Sequence, residues 1–481
     1  MDLKSLVETV FQMEEDLDLF NKKVDGVYFW ELVRFSVVNQ IAQKTGLYGE
    51  AHTGVDVDAK NVISYSFSAL KNFLYRNPFI SSENDVLFFG HPRRKLMEDG
   101  LWWDVYCDPV IDFMQEKYKC LLLEPPYLNG HLLPAKTESI RFLDSVLFLS
   151  NVLKIILSFK FALTKDENLL IDKIQALINK KFNIDIDLNH LVRDLLLVRK
   201  SRIPIYSFLL NKIKPKVVIL TVSYGRGISP IIEVCKNMGI PVVELQHGTI
   251  SRYHTGYSFP NVKKLKRFPD YFLTFGDYWK HIVDLPIPGN QIISAGYPFF
   301  EMEVAKYKNE PVKDQIVFIS QGTIGKEMSK FAAKLQSRND FNMDIIYKLH
   351  PGEYDRWEQE YPWLVDSGMR VVSDDSEPVY RLLAQSKAIV GVYSTLVYEA
   401  LGLGLRTFLL DLPGVEYMEE LIESGSVNVV SSVDELIEKF YQQDQVAVND
   451  CYFFKHNALL NIKHFLWEIV QDGKYRHSIK I

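Results

Sequence analysis

One stretch decides the fold: KVVILTVSYGRGISPIIEVCKNMGIPVVELQHG, residues 216–248. It begins with a short apolar run and continues with helical spacing from Ile228 to Met238. It ends in a second apolar run that stops at Gln246-His247-Gly248. A short apolar run bounded by turn residues is typical of a strand buried on both faces. Two such strands joined by a helix predict a βαβ unit and therefore a parallel sheet.

Similar runs continue on both sides of this stretch. Because they alternate with helical spacing, we predict a first Rossmann-like domain over 81–305, with a mostly helical insertion at about 137–212. Its other strand-like runs lie at 85–90, 117–123, 270–275 and 291–295.

A polar linker at about 303–313 precedes a second series of the same kind. Its strand-like runs lie at 315–320, 343–349, 369–372, 388–392, 406–410 and 427–430. We therefore predict a second Rossmann-like domain over 306–445. In such sheets, ligands bind in the crevice at the carboxyl ends of the strands. Two such domains predict a ligand site between two facing sheet edges.

Both ends of the chain are predicted to be helical. Residues 1–80 show helical spacing, clearest from Val27 to Ala42, and 446–481 include a C-terminal helix at about 454–472. The predicted fold class is α/β, with two Rossmann-like domains facing each other across a cleft.

The composition excludes several classes of protein. The 481 residues include 55 Lys and Arg against 61 Asp and Glu, so no general positive field attracts nucleic acid. With 47% hydrophobic residues, the chain is not expected to be disordered. Its four cysteines lack CxxC spacing, which argues against structural zinc or a disulfide framework. We expect no metal and no nucleic-acid partner.

Two kinds of segment bear on the location of the protein. The first residues lack the features of a signal peptide, so we expect a cytoplasmic protein. Residues 146–163 are strongly apolar, but Lys154 and Lys160 make a membrane-spanning helix costly. We interpret them as a buried packing helix, with a membrane-surface helix as the alternative. If they share a surface with the basic run 262–267, the protein would dock on the inner membrane.

Polar residues stand at the end of one strand of the second domain. Ser394 and Thr395, after Tyr393, lie where the strand passes into a helix, and the free N–H groups of a helix start attract phosphate. Glu399 falls one turn further along the same helical face, where a carboxylate can accept hydrogen bonds from ribose hydroxyls. A plain capped helix with a solvated glutamate is the alternative.

Two further strand ends carry similar signals. Lys348 and His350 point to the same side of one strand, which Pro351 ends. Such donors suit a phosphate leaving group, on which negative charge develops. Another turn, Ser320-Gln321-Gly322, allows a ligand to approach the backbone because glycine lacks a Cβ.

The first domain offers a histidine at a strand end. His247 is a candidate general base, because imidazole titrates near neutral pH, and Gly248 permits a tight turn. Tyr224 and Arg226 follow the neighbouring strand, where an arginine could bind a carboxylate or phosphate with two parallel hydrogen bonds. We assign Tyr224, Arg226, Gln246 and Gly248 to the acceptor side.

Three acids follow the first strand of this domain: Asp104, Asp108 and Asp112. Each could act as a base or orient a histidine, and each could instead cap a helix or lie on the surface. We retain Asp104 and Asp108 as catalytic candidates, together with His247 and His350.

These features resemble bacterial GT-B glycosyltransferases of capsule and surface-polysaccharide synthesis. That group includes polysialyltransferases and Kdo transferases and, more distantly, teichoic-acid glycerophosphotransferases. The resemblance rests on motif order over about 215–440, namely Gln246-His247-Gly248, His350-Pro351 and Tyr393-Ser394-Thr395 with Glu399. The acidic motif of sialyltransferases has no counterpart in this sequence.

The resemblance implies a nucleotide-sugar substrate, with a CMP-linked donor favoured, and no separate cofactor. Its phosphate would be held by Lys348, His350, Ser394 and Thr395, and its ribose by Glu399. The acceptor would be a growing surface glycan or a lipid-linked saccharide.

Three other functions stay open at this point. One is transfer of glycerol- or ribitol-phosphate from a CDP-alcohol, by enzymes that usually rely on further paired histidines, which we do not find in the sequence. The others are a nucleotide-sugar epimerase of the same fold and a noncatalytic subunit of a polysaccharide assembly complex.

Overall fold

The computed structural model describes residues 2–47, 72–73, 75–128, 130–225, 227–374, 376–442 and 450–472. These residues form two large sheets, each built of parallel strands, with helices on their faces. The predicted α/β fold with two Rossmann-like domains is confirmed.

The first sheet has seven strands, and two short hairpins accompany it. In chain order the strands of the N-terminal half are β1 (Lys23–Val24), β2 (Val27–Tyr28), β3 (Val86–Phe89), β4 (Lys95–Leu96), β5 (Trp102–Trp103), β6 (Cys120–Glu124), β7 (Ile140–Phe142), β8 (Val217–Leu220), β9 (Val242–Leu245), β10 (Tyr271–Thr274) and β11 (Ile292–Ser294). The sheet order is β11-β10-β9-β8-β3-β6-β7. Every residue of β3, β8 and β9 is buried, as expected for central strands covered on both faces.

The second sheet has six strands. They are β12 (Gln315–Ile319), β13 (Asp344–Lys348), β14 (Arg370–Val372), β15 (Ala388–Gly391), β16 (Arg406–Leu410) and β17 (Asn428–Val430). Their order is β14-β13-β12-β15-β16-β17. The order reverses between β12 and β15, and ligands bind beside such a switch point in open parallel sheets.

The α-helices complete the layers on either side of the sheets. They are α1 (Leu3–Asp16), α2 (Trp30–Lys44), α3 (Asp108–Met114), α4 (Asp144–Ser158), α5 (Lys165–Phe182), α6 (Leu188–Ile213), α7 (Ser229–Asn237), α8 (Pro298–Tyr307), α9 (Gly325–Gln336), α10 (Trp357–Glu360), α11 (Pro362–Asp366), α12 (Val379–Ala384), α13 (Thr395–Gly402), α14 (Glu419–Glu423), α15 (Val433–Gln442), α16 (Asp450–Phe453) and α17 (Ala458–Asp472).

The N-terminal helices share a core with the helical insertion. Apolar residues of α1 and α2 pack against α5 and α6. The predicted helix from Val27 begins only at Trp30, because Lys23–Tyr28 forms a hairpin. Its turn, Asp25-Gly26, has positive φ angles of 51° and 71°, as a tight hairpin turn requires.

Besides the β1–β2 hairpin, three further short strands were not predicted from the sequence. β7 lies inside the segment predicted to be mostly helical, where it adds an edge strand beside β6. β4 and β5 form a hairpin after the first strand. Strands of two or three residues contain too few positions to show a period.

The apolar segment 146–163 forms most of α4, and its prediction as a buried helix is wrong for one face. Phe148, Ile155 and Phe159 are among its exposed side chains. None of the helices formed by the described residues is long and apolar enough to cross a membrane.

The C-terminal segment returns to the first domain. Phe465, Leu466 and Ile469 of α17 pack in one core with strands β3 and β6. Before this helix, the chain crosses the ends of β10 and β11, and the Lys455 amide donates to the Phe275 carbonyl at 2.8 Å. The chain therefore passes between the two domains twice.

Candidate functional site

The candidate site lies where the carboxyl ends of the two sheets meet. A cavity of about 220 Å³ lies next to the predicted site residues and is lined by residues that follow β9 (249–251 and 253–255), by Tyr393 after β15, and by residues of α1 and α2; His247, Ser394 and Glu399 are not part of its lining. Polar contacts connect the same parts, because Arg252 and Tyr253 donate to Glu420 and Glu419 of α14.

His247 stands at the end of β9 with a hydrogen-bond partner at each ring nitrogen. The Tyr257 hydroxyl lies 3.2 Å from Nδ1, and the Tyr224 hydroxyl lies 3.4 Å from Nε2. Tyr257 also bonds to Glu244 Oε1, inside strand β9. The structure thus brings His247 and Tyr224 together, as predicted for one strand edge.

These contacts select one tautomer of His247. While Glu244 is ionised, the single hydroxyl hydrogen of Tyr257 is donated to its carboxylate, so His247 donates its Nδ1 hydrogen to the tyrosine oxygen. Nε2 is then an unprotonated acceptor beside Tyr224. An imidazole held in this form can accept a proton from a substrate hydroxyl.

Burial shifts the titration of this group of residues. Burial and the neighbouring charges of His91 and His254 lower the pKa of His247 to about 3, so the ring is neutral at neutral pH. Burial raises the pKa of Glu244 to about 7, against the effect of its bonds to Ser223 and Tyr257. Near neutral pH, Glu244 is therefore present in both its ionised and its protonated form.

Two further histidines lie beside His247 and were not predicted as site residues. The His91 ring is stacked 5.9 Å from that of His247, and the His254 ring lies 4.8 Å from that of Tyr257. Burial lowers the pKa of His91, and it lowers that of His254 to about 4. His91 could have been found from the sequence, because His91-Pro92 follows a predicted strand. His254 lies in an irregular loop, for which the sequence gives no such signal.

Asp104 and Asp108 are fully buried below the His91 turn. Asp104 Oδ2 accepts the His91 amide at 2.7 Å, and its Oδ1 accepts two further amides of its own turn. Asp108 accepts from Thr137 and pairs with Arg94, which also bonds to Glu124. These contacts indicate that Asp104 and Asp108 stabilise the turn that carries His91.

The remaining first-domain candidates lie in or near the same loop. Gln246 accepts the Phe275 amide at 2.9 Å and donates to the Gly248 carbonyl at 2.8 Å, which holds the turn after His247. Asp112 is half-exposed and pairs with Lys136 at 3.2 Å. Arg226 lies outside the described residues.

In the second domain, Ser394 caps helix α13. Its Oγ accepts the Leu396 amide at 3.3 Å, and Thr395 begins the helix. Gln321 accepts the Tyr393 amide at 3.1 Å, so the turns after β12 and β15 contact each other. Gly322 is exposed beside them. The helix start and the glycine turn thus form one polar edge.

The turn after β13 is built around a glutamate that was not predicted. Glu353 is fully buried and accepts the His350 amide at 2.8 Å, the Tyr361 hydroxyl at 2.7 Å and the Ser320 hydroxyl at 3.1 Å. The sequence His350-Pro351-Gly352-Glu353 has the spacing of a capping box, which was the available signal. The turn leaves the His350 side chain exposed.

Lys348 and Glu399 differ in their surroundings. The Lys348 ammonium donates to the Tyr354 hydroxyl and the Asp374 carbonyl, both at 2.6 Å. Glu399 is buried where the two domains meet, its nearby groups including Tyr380 and Tyr106, and burial raises its pKa to about 7. Its Oε2 has no hydrogen-bond partner among the described residues.

Comparison with known proteins gives only remote likenesses. No family model and no curated protein matches the sequence. Among solved structures, UDP-GlcNAc 2-epimerase from Neisseria meningitidis, bound to UDP-GlcNAc, is similar at 14% identity and a TM-score of 0.47, over 80% of this chain and 99% of that one. The wall teichoic acid polymerase TagF is similar at 12% identity and a TM-score of 0.43, over 87% and 99%.

The 2-epimerase from Methanocaldococcus jannaschii, in complex with UDP-GlcNAc and UDP, is similar at 12% identity and a TM-score of 0.43, over 79% of this chain and 99% of that one. At these values the likenesses carry no argument about function. We assign the class of protein from its own fold instead. The two strand orders and the facing sheet edges are those of a GT-B fold.

Proposed function

We propose that this protein is a metal-independent glycosyltransferase, which moves a sugar from a nucleotide-sugar donor to a growing bacterial surface glycan or a lipid-linked acceptor. The observation that carries the proposal is the neutral His247 imidazole, held in one tautomer at one sheet edge. In the free protein the ring is a weak base, because its pKa is about 3, and the negative charge of a bound nucleotide sugar would raise that pKa so that the ring takes the proton of an acceptor hydroxyl.

The donor would bind on the second domain. The helix start at Ser394 and Thr395 supplies N–H groups for its phosphates, and His350 and Lys348 supply donors at the next strand end but one. The unpartnered Oε2 of Glu399 is a buried acceptor that a ribose hydroxyl would satisfy. The preference for a CMP-linked donor rests on the resemblance of these motifs to those of CMP-sugar transferases.

The transfer then follows from these positions. The acceptor oxygen attacks the anomeric carbon while its proton passes to His247 Nε2. The bond between the anomeric carbon and the phosphate oxygen breaks, and the nucleotide leaves with the electron pair. The helix start and the donors of Lys348 and His350 stabilise the charge that develops on the leaving phosphate.

One observation favours a second candidate, transfer of an alcohol phosphate from a CDP-alcohol. That reaction was disfavoured for lack of paired histidines, yet the rings of His91 and His247 lie 5.9 Å apart. With this chemistry, acceptor attack would occur at phosphorus and release CMP.

Nucleotide binding tests the donor site. In a thermal-shift screen with CMP, CDP, UDP, GDP and dTDP, we expect CMP or CDP to stabilise the protein by about 2.7 kcal/mol at a hundredfold excess over its dissociation constant. His350→Ala should weaken this binding roughly tenfold or more, because a charge-assisted hydrogen bond is lost. His190→Ala is the matched control, since His190 is an exposed histidine on α6. A response to UDP alone would discard the CMP branch, and no response to any nucleotide would contradict the proposal.

Turnover separates the candidate reactions. A glycosyltransferase consumes a CMP-sugar only with an acceptor, and a phosphotransferase consumes a CDP-alcohol instead. A change of the donor sugar without any acceptor would identify an epimerase. His247→Ala should abolish transfer while the nucleotide shift stays; equal turnover in both proteins would remove His247 as the base.

A further inference from the structure

Helix α4 turns its apolar face to the solvent. Five of its side chains and that of the residue after it are spaced on one helical face and are between 40% and 84% exposed: Phe148, Leu149, Val152, Ile155, Ile156 and Phe159. A helix on a globular surface normally buries such a face. In α4, by contrast, the apolar face points away from the protein core and into the solvent.

Polar contacts hold α4 in this orientation. Ser150 Oγ lies 2.9 Å from Ser201 Oγ of α6, and both side chains are buried. Ser145 donates to Asn77 Oδ1 at 3.0 Å. Lys154 pairs with Asp194 of α6. Rotating the helix to bury its apolar side chains would break these contacts.

The exposed apolar surface continues beyond the start of α4. Phe208 of α6 is 64% exposed, and its ring lies 5.9 Å from that of Phe79. Tyr75 and Ile80, in the segment that contacts the start of α4 through Asn77, are also exposed. Contiguous exposed apolar patches of this kind mark interaction sites in soluble proteins.

Cationic side chains flank this surface at both ends. Residues 145–164 contain no Asp or Glu, and Lys160 is exposed directly after Phe159. At the other end, Arg141 lies close enough to Arg76 for that charge, together with burial, to lower the pKa of Arg141. An apolar helix face with cationic flanks fits the headgroup region of an anionic membrane.

The basic run 262–267 is not part of this surface. Arg267 pairs with Glu233, which also pairs with Arg199 of α6. Arg199 precedes Ser201 by two residues, about 200° around the helix, so the run and α4 lie on different sides of α6. The expectation that the two segments share one membrane surface is not supported.

We propose that α4 inserts its exposed apolar face into the surface of an anionic lipid bilayer, with the helix axis parallel to the membrane. A single convex helix flanked by cations suits a lipid surface, which adapts to its shape, better than a second folded copy. This inference goes beyond the proposed function and does not depend on the donor.

Flotation of the full chain with vesicles tests the proposal. The vesicles contain equal parts of phosphatidylethanolamine and phosphatidylglycerol, and the comparison vesicles contain phosphatidylcholine alone. We expect the protein to float with the anionic vesicles. The variant Ile155→Glu/Phe159→Glu should bind at least about tenfold less, because each side chain loses its apolar burial. Leu460→Glu, at a half-exposed position of α17, should float like the wild type.

A second variant keeps the test independent of folding. Lys160→Glu changes one exposed charge and should weaken binding to anionic vesicles while leaving any binding to phosphatidylcholine unchanged. The proposal is overturned if the wild type stays unbound at low salt, or if the double variant melts like the wild type and floats equally well. It is also overturned if the wild type is a dimer in solution that the double variant dissociates, since a second copy then covers the face.

Discussion

Glu244 shows how much of the proposed chemistry depends on one buried residue. It stands in a central strand whose other residues are apolar, and its carboxylate is the acceptor for Tyr257. Through that hydroxyl it determines which nitrogen of His247 is protonated. Glu244 is therefore a positioning residue, which acts on a substrate through the histidine.

Its titration predicts a pH dependence. Burial raises the pKa of Glu244 to about 7, so the carboxylate that accepts from Tyr257 is present above this pH and is lost below it. Protonated Glu244 can donate to Tyr257, whose hydrogen then turns to Nδ1 and places the imidazole proton on Nε2. We expect kcat/KM to fall as the pH decreases below about 7, and Glu244→Gln to lower it roughly a hundredfold and remove this fall.

The matched control is Glu399→Gln, because burial raises the pKa of Glu399 to the same value. That variant should weaken donor binding but keep the acidic limb of the profile. If the fall of kcat/KM at acid pH disappears in Glu399→Gln and persists in Glu244→Gln, Glu244 is not the group that causes it.

At this scale the sequence predicted His247 and Tyr224 but not Tyr257 or His254. A histidine after a buried strand is visible in the sequence, because strand ends can be located from apolar runs. Tyr257 and His254 lie in an irregular segment without a period, so only the folded loop brings them to the imidazole. The aspartates were attractive as acids near a strand end, yet Asp104 and Asp108 are occupied by amides and by Arg94.

At the scale of elements, the turn after β13 depends on close packing against α9. A Cβ on Gly325 would lie 2.1 Å from Glu353 Oε1 and 2.5 Å from the Tyr361 hydroxyl. The glycine thus leaves room for the carboxylate that accepts the His350 amide.

Gly325→Ala should therefore destabilise the protein by about 1–3 kcal/mol and weaken nucleotide binding, because Glu353 must move and the His350 turn moves with it. Chemical unfolding and the thermal-shift response measure the two effects. Gly289→Ala is the control, since a Cβ there meets nothing within 4 Å. Wild-type nucleotide affinity in Gly325→Ala would show that the turn is independent of Glu353.

Helix α4 shows what sequence periodicity does not predict at the scale of elements. The apolar segment was correctly predicted to form a helix. Its apolar spacing did not reveal what the apolar face contacts, because the same pattern serves a protein core and a lipid surface equally well. The buried pair Ser150 and Ser201 settles the orientation, and this contact joins residues far apart in the chain.

For the whole molecule, the alternation of strands and helices was sufficient to predict two parallel sheets. It was not sufficient to predict strand order, because β3 pairs with both β6 and β8 across a long helical insertion. It also gave no sign that the last helix packs against the first domain. Such contacts join distant segments, and no local pattern reports them.

Leu466→Ala tests that long-range contact. Leu466 is fully buried in the core that contains β3, so its truncation should cost about 2–5 kcal/mol. Hydrogen exchange should show lost protection in Val86–Phe89 while Gln315–Ile319 keeps its protection. Leu460→Ala, at a half-exposed position of the same helix, should change neither. Equal loss in both sheets would mean that the two domains unfold as one unit.

The return of α17 has a consequence during synthesis on the ribosome. The first sheet emerges early, yet part of its covering is translated only after the second sheet. The second sheet is contained within a continuous stretch, and its strands are complete before that covering exists. The domain translated first is therefore the domain finished last, and its uncovered face is a natural place for a chaperone to bind.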